Sequence, residues 1–488
     1  MTPAIILISF LIYTSMLFAV SWVTSRHADN ESFFIGNKKS PWFVVAYGMI
    51  GASLSGVTFV SVPGWVEKTG FTYFVIVLGY VAGYAVITSV LLPLYYKLNL
   101  TSIYTYLDKR FGNNSYLTGA SFFLISRIIG ASFRMFLVVT VLQYFVFDHY
   151  GIPFWITVVV FMLLIQLYTI KGGIKTIVWT DTLQTTFMLL SVIITVVIIT
   201  NNMNTGFVEI VKKVWHSDYS KILITDIDHP KFFLKQFLSG MFITIVMTGL
   251  DQDMMQKNLS CRNLKDAKKN MTTLSLVLIP VNLMFLFLGA VLYIYASQHN
   301  IQLPGKADLV FPYIAINYLG VVAGVIFIIG LLSAAYSSAD SALTALTTSF
   351  SLDILKLDKK FKNNPEKLKK TRMKVHVLMS LTVIITVISF KLINNESVIA
   401  QLFTLAGYTY GPLLGLYALG LFTHIKVNDK LVPLVAVAAP VISYLIKTYS
   451  PAILGGYQIG FELLLINGLL TFIGLMLIKN KSYKKIAG

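Results

Sequence analysis

The chain has 488 residues, 56% of them hydrophobic and 12% charged, with a mean hydropathy of +0.74. Soluble domains carry about 25% charged residues, so this chain lacks the polar side chains to coat a water-facing surface, which excludes a soluble enzyme, a disordered chain and a secreted disulfide scaffold. The net charge of +18 would suit a nucleic-acid binder, but the basic residues fall in short gaps between long apolar runs, and the lone Cys261 leaves no internal disulfide or cysteine-cluster metal site.

A membrane-crossing helix needs about 20 mostly apolar residues. Thirteen such runs are predicted, near residues 2–24, 41–66, 71–96, 116–147, 152–170, 178–200, 233–256, 272–296, 311–352, 373–392, 395–423, 431–447 and 459–478. The first lacks the charged leader and small-residue exit of a signal peptide, so it reads as a retained helix. With the N-terminus outside, 28 of the 39 Lys and Arg fall in or at the edge of gaps on the cytoplasmic side, Lys257 and Arg262 among them, and only Arg127 and Arg134 lie more than three residues inside a run. A basic excess of that kind marks the cytoplasmic face, and the odd number of runs then places the C-terminus inside. The chain divides into a first helix and loop (1–40), runs two to six (41–200), an outer loop (201–232), runs seven to eleven (233–423), and two final helices with a basic tail (424–488). Within the outer loop, FVEIVKKVW (207–215) reads either as an amphipathic helix on the membrane face or as an ordered loop with a short helix. The segment 353–372 reads as a cytoplasmic basic linker, whose charge suits topology control and attraction to anionic lipid more readily than a regulatory role. Soluble-enzyme motifs such as the P-loop and the zinc-protease signature are absent.

The second run, VVAYGMIGASLSGVTFVSVPGW (44–65), concentrates glycines and hydroxyls at mid-span. Small residues permit close helix packing. The other reading is an unwound helix, tolerated at membrane depth only where its carbonyls line a cavity or hold an ion. The seventh run, FLSGMFITIVMTGLDQDMMQ (237–256), is interrupted at Thr248-Gly249 and Asp251-Gln252-Asp253. Runs two and seven thus open two five-helix units, two to six and seven to eleven. Matched interruptions of this kind point to a transport site between inverted repeats. In the ninth run, LLSAAYSSADSALTALTTSF (331–350), Ser337, Ser341, Thr344 and Thr348 share one helix face. Hydroxyls can bond back to their own helix. Asp340 has no such outlet: a carboxylate at the centre of a membrane helix costs about 2.5–3.5 kcal/mol and needs a cation or a proton. Asp181, at the start of the sixth run, either caps that helix, pairs with Lys175, or joins an ion site. Hydroxyls, carbonyls and one or two carboxylates form a hard-oxygen site suited to a small cation. Sodium is the natural occupant, and a proton on either carboxylate is the alternative.

Four stretches carry a family resemblance: GASLSGVTFVSVPGW, GGIKTIVWTDTLQ, GLDQDMMQKNLSCRNLKDAKK and SAAYSSADSALTALTTSFSLDI. Through them the chain resembles, over nearly its whole length, the sodium/solute symporter family of sodium–glucose, sodium–proline, sodium–sialic acid and sodium–iodide carriers. The resemblance implies an all-α polytopic membrane protein of about 13 helices with a leucine-transporter-type core of two inverted five-helix repeats. It implies a main sodium site built from the carbonyls of Gly51, Leu54 and Ala334 and the hydroxyls of Ser337 and Ser338. A second sodium, held by some members, would lie at Asp181 with Ser341 and Ser337. Asp340 departs from the pattern, standing where a second-site member has a hydroxyl, and leaves one or two sodium ions and a proton open. The solute would meet Ser53, Ser55 and Thr58, with Tyr80, Arg134, Asp251, Gln252, Gln401 and Thr404 as further lining. Arg127 and Arg134, seven apart on one face, either pair with Asp251, Asp340 or Glu67, reach for the interface, or bind an anionic group of the solute. The implied function is sodium-coupled import of a small organic solute (a sugar, a sugar acid such as sialic acid, or a carboxylate) by alternating access. The carrier would act as a monomer in the plasma or inner membrane, in contact with lipid, with no enzymatic step and no nucleic acid. A proton-coupled permease of the same fold and a symporter-like membrane sensor are the alternatives.

Overall fold

Lipid offers no hydrogen bonds to the backbone, so a lone chain crossing it satisfies its own N–H and C=O groups by coiling into helices. In the computed structural model nearly every apolar run is helical. The structure describes residues 2–26, 28–227, 229, 231–392, 398–453 and 455–480. The end of the predicted basic tail, beyond residue 480, and residues 395–397 of the eleventh run lie outside the described residues.

The first half comprises α1 (Pro3–Ser25), α2 (Asn30–Ile35), α3 (Trp42–Thr69), α4 (Tyr73–Val86), α5 (Leu92–Lys97), α6 (Thr105–Arg110), α7 (Asn113–Leu142), α8 (Phe154–Gly172), α9 (Ile174–Asn202) and α10 (Phe207–Trp215). The second comprises α11 (Phe233–Thr244), α12 (Gln252–Leu259), α13 (Leu264–Gln298), α14 (Val310–Asn317), α15 (Gly320–Ser349), α16 (Leu357–Lys360), α17 (Pro365–Phe390), α18 (Val398–Phe422), α19 (Val432–Ile453) and α20 (Leu463–Leu477). Among the described residues ten helices are long and apolar enough to cross a membrane, and the bent pair α11–α12 makes an eleventh. The ninth predicted run is two helices, α14 and α15, separated by a turn at Tyr318 and Leu319, after which Gly320 opens α15 at φ +83°, a torsion that an L side chain rarely adopts. The segment 207–215 is helical, with Ile210 and Val214 buried and Phe207, Val208 and Trp215 exposed.

Both anticipated interruptions are present. Inside α3, Ser55 takes φ 59° and ψ 175°, a torsion pair otherwise left to glycine. Helix α11 runs through a π-type turn at Ile245–Gly249, leaves helical geometry at Leu250 and Asp251, and resumes as α12 after a bend of 63°. Helix α4 packs against α11, and α13 against α3 and α4, which gathers the broken helices into one group. Helix α7 packs against α15, α17 and α18, forming a second group, while α9 contacts both α3 and α15. Helices α4 and α11 approach closely at Gly240: a Cβ there would run into the carbonyl of Ile76 on α4, as expected where small residues let membrane helices touch.

The N-terminal end of α7 is fastened to the chain ahead of α19. Asp429 accepts hydrogen bonds from the backbone N–H of Asn114 (2.8 Å) and of Ser115 (2.8 Å), and from Ser115 Oγ (2.6 Å). A carboxylate there satisfies otherwise orphaned donors and complements the helix dipole. Just upstream, Arg110 donates to the carbonyls of Thr423 (2.8 Å) and Ile425 (3.0 Å).

Candidate ion and solute site

The break at Ser55 divides α3 into two halves. The last carbonyls of a helix have no partner within it, and here they belong to the turn from Gly51 to Leu54. Ser55 Oγ accepts from the N–H of Val57 (3.3 Å), so the hydroxyl takes over part of the interrupted ladder. The first half is held by α9: the N–H of Gly51 donates to Thr185 Oγ1 (3.1 Å), and that hydroxyl donates to the carbonyl of Gly48 (3.3 Å). A side chain at Gly51 would collide with Thr185. Across from α3 lies α15, with Ala334, Ser337 and Ser338 all buried. Ser338 Oγ donates to the carbonyl of Ala334 (3.1 Å) and keeps its lone pairs free. Ser337 is turned elsewhere, donating to Asp181 Oδ1 (2.6 Å). Facing helices α3 and α15 therefore offer a set of neutral oxygens, a donor set that fits a hard monovalent ion.

The two buried carboxylates differ in their company. Asp181 pairs with Lys257 Nζ at 2.6 Å, and both side chains are 1% exposed. Lys257, placed by the sequence reading in a cytoplasmic gap, is instead buried on α12, because the bend after Gly249 turns that helix inward. Lys175 is not the partner of Asp181. Asp340 is fully buried and accepts from Tyr168 OH (2.8 Å), Gln184 Nε2 (3.4 Å) and the N–H of Ser341 (2.6 Å). Among the described residues no cationic side chain lies within 4.0 Å of it. The hydroxyl of Ser341, also buried, has no hydrogen-bond partner among the described residues.

Between the two helix groups lies a cavity with about 730 Å³ of atom-free space, its open mouth included. Ser53, Ser55 and Thr58 line it from α3, Tyr80 from α4, and Arg134 from α7, together with Arg127, Tyr73, Tyr84, Thr244, Thr248 and Asn282. Tyr73 OH and Tyr80 OH are 3.1 Å apart, and Tyr73 also lines an outer pocket with Trp65, Lys231 and Phe461. The arginines part ways. Arg127 is paired with Asp253 and lies 3.8 Å from Asp251 Oδ2, which also accepts from the hydroxyl of Tyr410 (2.5 Å). Arg134 is 9% exposed and, among the described residues, has no carboxylate within 4.0 Å.

Four residues expected in the lining sit outside it. Asp251 caps α12, accepting from the N–H of Asp253 (2.9 Å). Gln252 is buried against the loop before α6, donating to the carbonyl of Thr101 (2.8 Å) and accepting from the N–H of Ile103 (3.0 Å). On α18 it is Leu402 and Phe403 that face the cavity, while Gln401 and Thr404 are half-buried beside them. Sequence reasoning overlooked Lys257, Tyr410 and Asn282. The last had a signal: a lone amide in the apolar run 272–296 is costly in a membrane and points to function.

Two broken helices meeting over a buried cavity define a secondary transporter. The chain belongs to the sodium:solute symporter family, whose model matches residues 33–430; it is a sodium-coupled membrane transporter, not an enzyme. It is 26% identical to the sodium/sialic acid symporter NanT of Aliivibrio fischeri over 449 residues, covering 89% of this chain and 86% of that one. Identity with the sodium/sialic acid symporter SiaT of Proteus mirabilis is 23%, covering 84% and 82% of the two chains. The fold is that of a substrate-bound, outward-open Na⁺-coupled sialic acid symporter, with a TM-score of 0.81 at 21% identity over 97% of both chains. The nucleobase-cation-symport transporter Mhp1 in a closed conformation shares it at a TM-score of 0.60 and 13% identity, covering 91% and 93%.

Proposed function

We propose that the chain imports a small carboxylated solute, a sugar acid such as sialic acid or a monocarboxylate, together with sodium by alternating access. Arg134 carries this reading. A buried guanidinium that faces a cavity with no carboxylate within 4.0 Å among the described residues can take an anion, and its planar fork matches a carboxylate. The relatives that transport sialic acid support the same class of solute.

Sodium lies at the break of α3, between the carbonyls of Gly51 and Leu54 and, on α15, the carbonyl of Ala334 and the hydroxyl of Ser338. The solute lies a turn away, on Ser53, Ser55 and Thr58 of the same unwound segment. Fixing that segment for one ligand spares the other the cost of ordering it, so each raises the affinity of its companion. Each site draws on both helix groups, α3 with α15 for the ion and α3 with α7 for the solute. Inward flow of sodium drives the cycle, and each net charge moved through 100 mV contributes about 2.3 kcal/mol, roughly a fortyfold concentration ratio. The carrier works as a monomer in the plasma or inner membrane, surrounded by lipid, with its N-terminus outside and its C-terminus in the cytoplasm.

The test is a thermal-shift screen of the purified protein against sugar acids, monocarboxylates, neutral sugars and amino acids, in sodium and in potassium. A carboxylated solute that stabilises only in sodium is the expected result. Stabilisation by neutral sugars alone, or equally in potassium, would overturn the reading.

A further inference from the structure

We infer that Lys257 is the resident cation of Asp181, occupying the place at which the family resemblance sets a second sodium, so that the chain carries one sodium per solute. This rests on the symport reading and fixes its stoichiometry.

Both oxygens of Asp181 are already engaged. Lys257 Nζ lies 2.6 Å from Oδ2, and Ser337 Oγ donates to Oδ1 at 2.6 Å. The carboxylate's charge is met by a tethered ammonium, and its remaining oxygen by a neutral donor. Among the described residues Asp181 is the only carboxylate within 4.0 Å of that ammonium. An incoming alkali ion would have to drive a buried lysine from its counter-charge into surroundings with no replacement, or sit beside a like charge at low dielectric; both are strongly unfavourable.

The backbone that presents Lys257 is fixed on several sides. Its neighbour Gln256 donates to the carbonyl of Phe34 (2.5 Å) and to Thr348 Oγ1 (2.9 Å). Tyr96 OH donates to the carbonyl of Asn258 (2.9 Å), and Asn270 Nδ2 to Asn258 Oδ1 (2.7 Å). Helix α12 is thereby tied to α2, α15, α5 and α13, so Lys257 does not withdraw by a simple shift of its own helix. Asp340, the other carboxylate of the region, is met by three neutral donors. For a solute bearing one carboxylate, a single sodium makes the loaded carrier's cargo electrically neutral.

The test is equilibrium binding of radioactive sodium to the purified full chain, with potassium as the control salt. The wild type and Lys257→Arg are expected to bind about one sodium each, with a Hill coefficient near one. Lys257→Met uncovers Asp181 and is expected to bind about two. Two sodium ions on the wild type would overturn the inference while leaving symport intact, whereas none would defeat both. A folded Lys257→Met protein that still binds one would show that the lysine is not what excludes the second ion. Should Lys257→Met fail to fold, the counts for the wild type and Lys257→Arg decide.

Discussion

Replacing Arg134 with alanine tests the proposed solute site most directly, because Arg134 lines the cavity without a carboxylate within 4.0 Å among the described residues. Arg134 has no carboxylate partner among the described residues, so its removal strands no buried charge. A charge-assisted hydrogen bond contributes about 1.5–3 kcal/mol, and each 1.4 kcal/mol is tenfold in affinity, so a carboxylated solute is expected to bind roughly 10–150-fold more weakly. Its neutral ester should lose less than about threefold, the loss of a purely geometric contact. Arg134→Lys keeps the charge without the fork and should fall between. Arg127→Ala is the contrast: it leaves Asp253 and Asp251 buried without their cation, and breaking such a pair costs about 3–5 kcal/mol of stability. The assay is sodium-dependent uptake into proteoliposomes for acid and ester side by side, with thermal unfolding measured on the same preparations. Equal losses for acid and ester in Arg134→Ala, or a fall in stability like that of Arg127→Ala, would refute the assignment and make Arg134 a structural residue.

Ser338→Ala removes one of the neutral oxygens proposed to hold sodium and should weaken sodium activation of uptake by roughly tenfold, the worth of about 1–1.5 kcal/mol; an unchanged sodium dependence would dissociate this hydroxyl from the ion. Asp181→Asn leaves the ammonium of Lys257 buried without its partner, and a stability loss of about 3–5 kcal/mol is expected, largely recovered in the double variant with Lys257→Met. Unfolding by heat or denaturant reads both. At Ser55 the torsions suit glycine, so Ser55→Gly should remain folded and active whereas Ser55→Val should cost about 1–3 kcal/mol. Comparable stability of the two variants would mean that α3 does not keep its break.

The two interruptions were legible because both features that produce them are local. A membrane run dense in glycine and hydroxyls, or broken by Gly249 and Asp251, announces that its backbone will not stay a plain helix. What escaped depends on relations between distant segments. Lys257 looks like a loop residue when only its flanks are read; its role emerges once the bend after Gly249 carries α12 against Asp181, 76 positions away. The division of run 311–352 into α14 and α15 was hidden because both sides of the turn are apolar. On α18 the phase was illegible for a related reason: with Leu402 and Phe403 between Gln401 and Thr404, either pair could face inward, and packing against α7 selects the apolar one. Distinguishing the arginines required knowing that Asp253, and not a residue of the ninth run, reaches Arg127.

The Asp429 clamp turns α7 into a lever. Arg134 lies 20 residues beyond Asn114, the residue the clamp holds, which is about 30 Å along a helix axis. With one end moored, any tilt of α7 swings its far portion through an arc, about 0.5 Å at Arg134 for each degree. On the proposed carboxylate site, slight angular drift would carry the guanidinium away from the anion, so that a fulcrum far from the cargo would set the grip on it.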